Sequence, residues 1–170
     1  MMPLKTMKIR AENAHDTASI EAVHIAAFAN HPYSQQTEHR IVDALRADGA
    51  LTVSLAAELD GKVVGHIAFS PIRIDGRDSK WFLLGPVGVL PEHQRRGIGQ
   101  ELVREGLKAI QVLGAEGCAL VGDPGYYARF GFAPARDLAF ERLPPEYCLF
   151  LSMDGRLPRG ALAHHPAFSM

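Results

Sequence analysis

Hydrophobic positions change their period several times along the chain, and each change marks an element. Lys8 to Ala11 predicts a first strand, after which Ile20, Val23, Ala27 and Phe28 share one face of a helix capped by Asp16. Asn30-His31-Pro32-Tyr33 interrupts that helix, and Ile41, Val42 and Leu45 mark a second one ending near Asp48-Gly49. Thr52 to Leu59, the pair Asp60-Gly61, and Lys62 to Phe69 together predict an antiparallel hairpin of strands two and three. The largely apolar run Trp81 to Leu90, closed by the turn Pro91-Glu92-His93, predicts a buried fourth strand. Ile98, Leu102, Leu107, Ile110 and Leu113 then recur at helical spacing among charged residues, with Gly114 as a stop. Gly117 to Val121 is short and apolar enough for a buried fifth strand, which makes a right-handed strand-helix-strand unit.

The last third is less regular. Asp123-Pro124 joins an N-cap to a first-turn proline, so a short helix starts there and runs to about Phe130 before Gly131. Leu138 to Leu143 and Tyr147 to Met153 are expected to pair as antiparallel strands across Pro144-Pro145. From Gly155 the tail is rich in Pro, Gly and His, and reads as either a packed extension or a frayed end.

Composition narrows the class of protein. At 170 residues the chain is expected to form one domain, residues 1–170, large enough to bury roughly 70% of its unfolded surface without a metal or disulfide staple. Hydrophobic residues at 47% and charged residues at 22% indicate a globular chain rather than a disordered or membrane one. A net charge of -1 offers no long-range attraction to nucleic acid or an anionic membrane. Cys118 and Cys148 lack any zinc-ligand spacing and read as reduced core residues. The adjacent His164 and His165 have no acidic or cysteine partner nearby and read as structural, so no metal is expected. The amino-terminal stretch lacks a long apolar segment, which makes the cytoplasm the expected compartment.

Candidate chemistry concentrates in Gln94-Arg95-Arg96-Gly97-Ile98-Gly99, set between the end of a strand and the start of a helix. A helix start carries unpaired N–H groups and partial positive charge, so it binds anions readily. Gly97 and Gly99 remove side chains that would hold a phosphate off the backbone, while Arg95 and Arg96 screen charge from the rim. A Rossmann fingerprint does not fit, because its glycine spacing is different. The loop is therefore read as a main-chain pyrophosphate site.

This order of strand, Gln94-x-x-Gly97-x-Gly99, helix and strand, followed by Tyr126-Tyr127-Ala128-Arg129-Phe130-Gly131-Phe132, resembles the GNAT superfamily of acyl-CoA-dependent N-acetyltransferases, and within it small bacterial members of the YhbS type. The resemblance in element order spans Lys8 to Met153, and its sharp motifs lie between Val87 and Phe132. It implies a mixed α/β fold: a mostly antiparallel, twisted sheet of about six or seven strands, a splayed parallel pair of fourth and fifth strands, and about four flanking helices. It implies acetyl-CoA as cosubstrate, its pyrophosphate on the main chain from Arg95 to Gln100, Ile98 included, and its pantetheine arm along Val87, Gly88 and Val89. An arm of that kind can pair with an open strand edge as an added strand would, and Gly88 is expected to permit a bulge that opens it.

The resemblance also makes Tyr127 the general acid that protonates the departing thiolate, with Tyr126 as the fallback. A phenol whose reference pKa is near 10 is protonated at neutral pH and can serve. Many family members use a glutamate of the fourth strand as base, yet Trp81 to Leu90 holds no acid and no histidine. His31 and Glu38 from the elbow between the first helices, and His66 on strand three, are the candidates for that base. The expected activity is acetyl transfer to a primary amine, on a small molecule or a peptide, by direct attack in a ternary complex. A non-catalytic acyl-CoA-binding module and transfer of a longer acyl chain are the alternatives, and a homodimer stays open.

Overall fold

The structure, a computed structural model, describes residues 6–140 and 143–169. Part of the amino-terminal stretch and residues 141–142 of the expected Leu138 to Leu143 strand lie outside the described residues.

An eight-stranded sheet forms the centre. β1 (Met7–Ala11) pairs antiparallel with β2 (Val53–Leu59), which turns through Asp60-Gly61 into β3 (Lys62–Ile74). β3 pairs antiparallel with β4 (Arg77–Val89). Both strands are longer than their apolar runs indicated, because a second tight turn at Asp75-Gly76 joins them. Asp60, Gly61, Asp75 and Gly76 all have positive φ, the backbone that matches a two-residue turn to the twist of its strands. Pro71 and the charged residues Arg73, Arg77, Asp78 and Lys80 hide this second hairpin from a hydrophobicity reading. The register with β4 shifts between Pro71 and Arg73, as expected of a residue with no N–H to give the ladder.

α3 (Ile98–Val112) carries the chain from β4 to the parallel strand β5 (Gly117–Val121). Ile98, Leu102 and Ile110 of the expected stripe are buried, joined by Val103 and Gly106, while Leu107 is only partly buried and Leu113, just past the last turn, is exposed. α1 (Thr17–Phe28) and α2 (Glu38–Ala47) pack together on the opposite face, α1 against β3 and β4. Asp16 stands at the N-cap of α1 but does not cap it as expected. Its carboxylate accepts from Arg10 at 2.7 and 3.0 Å and from the Asn13 amide at 2.7 Å, a charged pair that outcompetes the helix amides.

The expected hairpin across Pro144-Pro145 does not form. β6 (Leu138–Phe140) pairs in parallel with β8 (Gly160–Ala163), which continues onto β3, while β7 (Cys148–Ser152) pairs antiparallel with β5. Two consecutive prolines supply no N–H for a tight turn, and 145–147 coils into a short 3-10 turn instead. The tail is thus a packed extension: Leu162 is buried with Trp81, Phe140 and Phe150, and Ala167 packs beside Ile41 and Leu45. Cys118 and Cys148 are buried free thiols, and burial pushes the Cys118 thiol up. His164 stacks on Phe140 and His165 bonds to Asp48. Among the described residues no helix is long and apolar enough to cross a membrane.

Candidate active site

The parallel ladder between β4 and β5 is short. Trp81, Phe82 and Leu83 pair with Gly117, Cys118 and Ala119, and beyond Leu83 the strands diverge while β4 stays bonded to β3. The register with β3 jumps between Ile67 and Phe69, opposite Gly85-Pro86, whose peptide bond is cis. The bulge therefore falls at Gly85-Pro86 and not at the expected Gly88, which pairs in register with His66. Pro86 is the residue with no N–H to give, so the ladder breaks there.

Alternation along β4 then decides which groups face the opening. The Leu90 amide donates to the Val64 carbonyl of β3 at 2.8 Å, so Gly88 and Leu90 turn their polar groups toward β3. Val87 and Val89 turn theirs toward the gap left by β5. Gln94 Nε2 donates to the Val89 carbonyl at 3.0 Å. The Gln94 side chain thus staples the loop to the end of β4, leaving the main chain of the next residues to face outward.

That main chain is shaped for an anion. Arg95 has φ 64° and Gly97, at the N-cap of α3, has φ 83°. The Glu101 amide is the first to find a helical acceptor, at the Gly97 carbonyl, and among the described residues nothing accepts from the amides of 95–100. A helix start with this many free donors attracts negative charge. Arg95 and Arg96 are exposed, and a Cβ built on Gly97 meets nothing within 4 Å. A Cβ on Gly99 would stand 3.8 Å from both Tyr126 Oη and Val89 Cγ2, partway across the cleft.

The two tyrosines diverge from α4 (Pro124–Tyr127), which Asp123 caps through the Gly125 amide at 2.9 Å. Tyr126 directs its hydroxyl toward the start of α3 and lies under the Arg129 guanidinium, 4.4 Å from the ring centre. Tyr127 turns inward, edge-on to Tyr126 and Phe132, with its ring against Gly122 where β5 ends. Burial, with smaller contributions from Tyr126, Cys118 and Asp123, pushes its phenol up to about 12. Tyr127 is therefore a proton donor at neutral pH, with no hydrogen-bond partner among the described residues.

The three candidate bases lie apart. His31 is exposed in the elbow, where its Nδ1 accepts from the Tyr33 amide at 3.2 Å. Glu38 accepts from the Ser34 hydroxyl at 2.8 and 2.7 Å. His66 is fully buried, 2.8 Å from His24 on one side and 2.8 Å from Ser54 on the other, and burial lowers it to about 3. A cavity of about 260 Å³ between α1 and α2 is lined by His24, Ile25, Phe28, Ala29, Gln36 and His39. His24 was not singled out by the sequence. It sits in the buried stripe of α1 with Ile20 and Val23, where only a polar residue among apolar ones marked it.

With this geometry in view, residues 17–132 match the family described as Acetyltransferase (GNAT) family. The Escherichia coli K12 protein YhbS, described as an uncharacterized N-acetyltransferase, is 37% identical over 114 residues, covering 66% of this chain and 68% of its own. Among solved structures, a GNAT family acetyltransferase from Brucella melitensis in complex with acetyl-CoA is 49% identical, with a TM-score of 0.87 and coverage of 96% of this chain and 99% of that one. Escherichia coli YhbS in complex with CoA superposes with a TM-score of 0.88 at 30% identity, over 100% of this chain and 96% of that one.

Proposed function

The chain belongs to the GNAT family and is an acyl-CoA-dependent acetyltransferase, and we propose that it moves the acetyl group of acetyl-CoA onto a primary amine by direct attack in a ternary complex. One observation carries the reading: the open edge of β4, from Val87 to Val89, leads into a loop whose amides from 95 to 100 have no acceptor among the described residues. The relatives from Brucella melitensis and Escherichia coli, crystallised with acetyl-CoA and CoA, support the same cosubstrate here.

The residues fit such a group. The amides of 95–100, Gly97, Ile98 and Gly99 among them, would donate to the pyrophosphate at the start of α3, and Arg95 and Arg96 would screen it from solvent. Val87 and Val89 offer the main-chain groups that an amide-bearing arm pairs with, and Gly88 keeps that stretch slim. Bound acetyl-CoA supplies a thioester, a carbonyl carbon open to attack by a neutral amine. Tyr127 holds the proton that the leaving sulfur needs, and its raised pKa keeps that proton in place until the C–S bond breaks. Tyr126, whose hydroxyl lies by Gly99, stands toward the phosphate end of the cleft and lines it.

The acceptor is a small-molecule or peptide amine that enters on the α1 and α2 side of β4, where the elbow carries His31 and Glu38. The test is a free-thiol release assay with acetyl-CoA and a panel of amines: simple alkylamines, polyamines, amino acids, aminoglycosides and short peptides. Turnover by the wild type with one of them, and a loss of about 100-fold in Tyr127→Phe, is the expected result. Tight CoA binding with no thiol release from any amine would contradict it.

A further inference from the structure

A continuous line of hydrogen bonds crosses the sheet and ends beneath β4. Arg46 of α2 donates to both oxygens of Glu12, at 2.9 and 3.0 Å, and Glu12 Oε1 also accepts from the Ser54 hydroxyl. Ser54 Oγ lies 2.8 Å from His66 Nε2, and His66 Nδ1 lies 2.8 Å from His24 Nε2. Both rings are buried, His24 at 1% exposure and His66 at 0%.

A neutral imidazole has one donor and one acceptor nitrogen, so neither ring fixes its own tautomer. The carboxylate does. Glu12, paired with Arg46, only accepts, so the single Ser54 proton points to it. Ser54 Oγ must then accept from His66 Nε2–H, which leaves His66 Nδ1 a lone pair that accepts from His24 Nε2–H. The polarity set at Glu12 thus passes through two rings and leaves a bare lone pair on His24 Nδ1. That nitrogen is buried with no hydrogen-bond partner. It faces Gly88, where an added Cβ would stand 3.0 Å from it and 3.1 Å from the Ala27 Cβ. The His24 ring also lines the cavity between α1 and α2.

Burial keeps this pair neutral, lowering His24 far below the ordinary histidine value, with His66 from β3 and His39 from α2 adding to the effect. Around His66 the charged groups are Arg46 from α2, which lowers it further, Asp16, which opposes that, and the Glu12 carboxylate, paired with Arg46 and 3.9 Å from His66 Nε2.

We propose that His24 Nδ1 is the catalytic base of the transfer, and that His66 and Ser54 are positioning residues that hold its lone pair toward Gly88. The proposal rests on the acetyl-transfer reading given above. In the step, the amine nitrogen forms an N–C bond to the acetyl carbon and the C–S bond breaks. The proton on that nitrogen passes to His24 Nδ1, and the sulfur takes one from Tyr127. As product leaves, the proton passes from His24 to water entering the cavity between α1 and α2 that its ring lines, and Tyr127 regains one from the emptied cleft, so charge and protons balance. Nitrogen becomes strongly acidic as it bonds to the carbonyl carbon, so a weakly basic, buried imidazole suffices. This supplies the base that no residue of Trp81 to Leu90 provides.

Two measurements test it. Long-range ¹H–¹⁵N spectra of histidine-labelled wild-type protein are expected to show both His24 and His66 as Nε2–H tautomers; an Nδ1–H tautomer at His24 overturns the proposal, whether or not any His24 variant folds. With an amine that the wild type acetylates, His24→Gln is expected to lower kcat by about 100-fold or more while the CoA Kd changes less than about twofold. Ser54→Ala is expected to lower kcat by roughly tenfold and to disturb the His66 tautomer in the same spectra. An unchanged kcat in a folded, CoA-binding His24→Gln protein removes the base alone. A wild type that releases no thiol with any amine removes the transfer reading and the base with it.

Discussion

On the α3 side of β4, Val89 faces the start of the helix and the free amides of 95–100. On the α1 side, Gly88 faces His24 and, through it, the buried chain to His66, Ser54 and Glu12. The first face offers backbone donors and asks little of side chains beyond their absence. The second depends wholly on side chains, and on a carboxylate at one end to orient a nitrogen at the other. A site for a large, constant cosubstrate can be written into main-chain geometry. A site for proton transfer needs titratable groups, held neutral by burial and orientation.

If that division is right, acid should attack the second face first. His66 has its folded pKa at about 3, below the ordinary 6.5, so the folded state gains from neutrality above about pH 6.5 and loses that gain as pH falls toward 3. Integrated over that window the loss approaches about 5 kcal/mol. Denaturant midpoints measured from pH 7 down to pH 4 should fall steeply, and His66→Asn should flatten the dependence. A midpoint indifferent to pH in the wild type would mean that the rings accept charge where they lie.

A smaller effect separates the tyrosines. Tyr127→Phe should lower kcat by about 100-fold or more, about 3 kcal/mol in barrier, with the CoA Kd unchanged, whereas Tyr126→Phe should alter kcat by less than about threefold. Steady-state kinetics decide between them, and the opposite ranking would exchange their roles.

Paired glycine variants sharpen the contrast between the faces. Gly97→Ala forces a side chain into a backbone with φ 83°, at about 1 kcal/mol, and should weaken CoA binding by roughly five- to tenfold in calorimetry. Gly88→Ala presses on His24 and Ala27, and should reduce kcat while leaving CoA affinity within about threefold. A uniform loss of both quantities in both variants would erase the distinction. At the smallest end, Lys108→Ala on α3 breaks an exposed pair with Glu105 at 3.4 Å and should cost only about 0.3 kcal/mol by thermal unfolding.

The same division explains how much could be read from the chain. Gln94 to Gly99 and Tyr127 to Phe132 are contiguous, and each lies at a helix end, where the chemistry depends on neighbours in sequence. The Asp60-Gly61 hairpin was legible for the same reason, while the Asp75-Gly76 hairpin was masked by Pro71 and by charged residues flanking the turn. β6 and β7 are close in sequence, yet β6 found its partner in β8, itself docked on the extended end of β3, and β7 found its partner in the free edge of β5. The buried chain draws on Glu12, His24, Arg46, Ser54 and His66, one from a loop and four from four different elements. No local spacing could announce it, and His66 alone looked like an ordinary strand histidine.

On the proposed reading, unpaired main-chain amides at the start of α3, with the open edge of β4, hold the coenzyme. A backbone ¹H–¹⁵N spectrum followed during titration with coenzyme A tests it most directly. The largest shifts should fall on the amides from 95 to 100 and on Val87 and Val89. Saturation with those amides unmoved, or their shift without any change along β4, would contradict it.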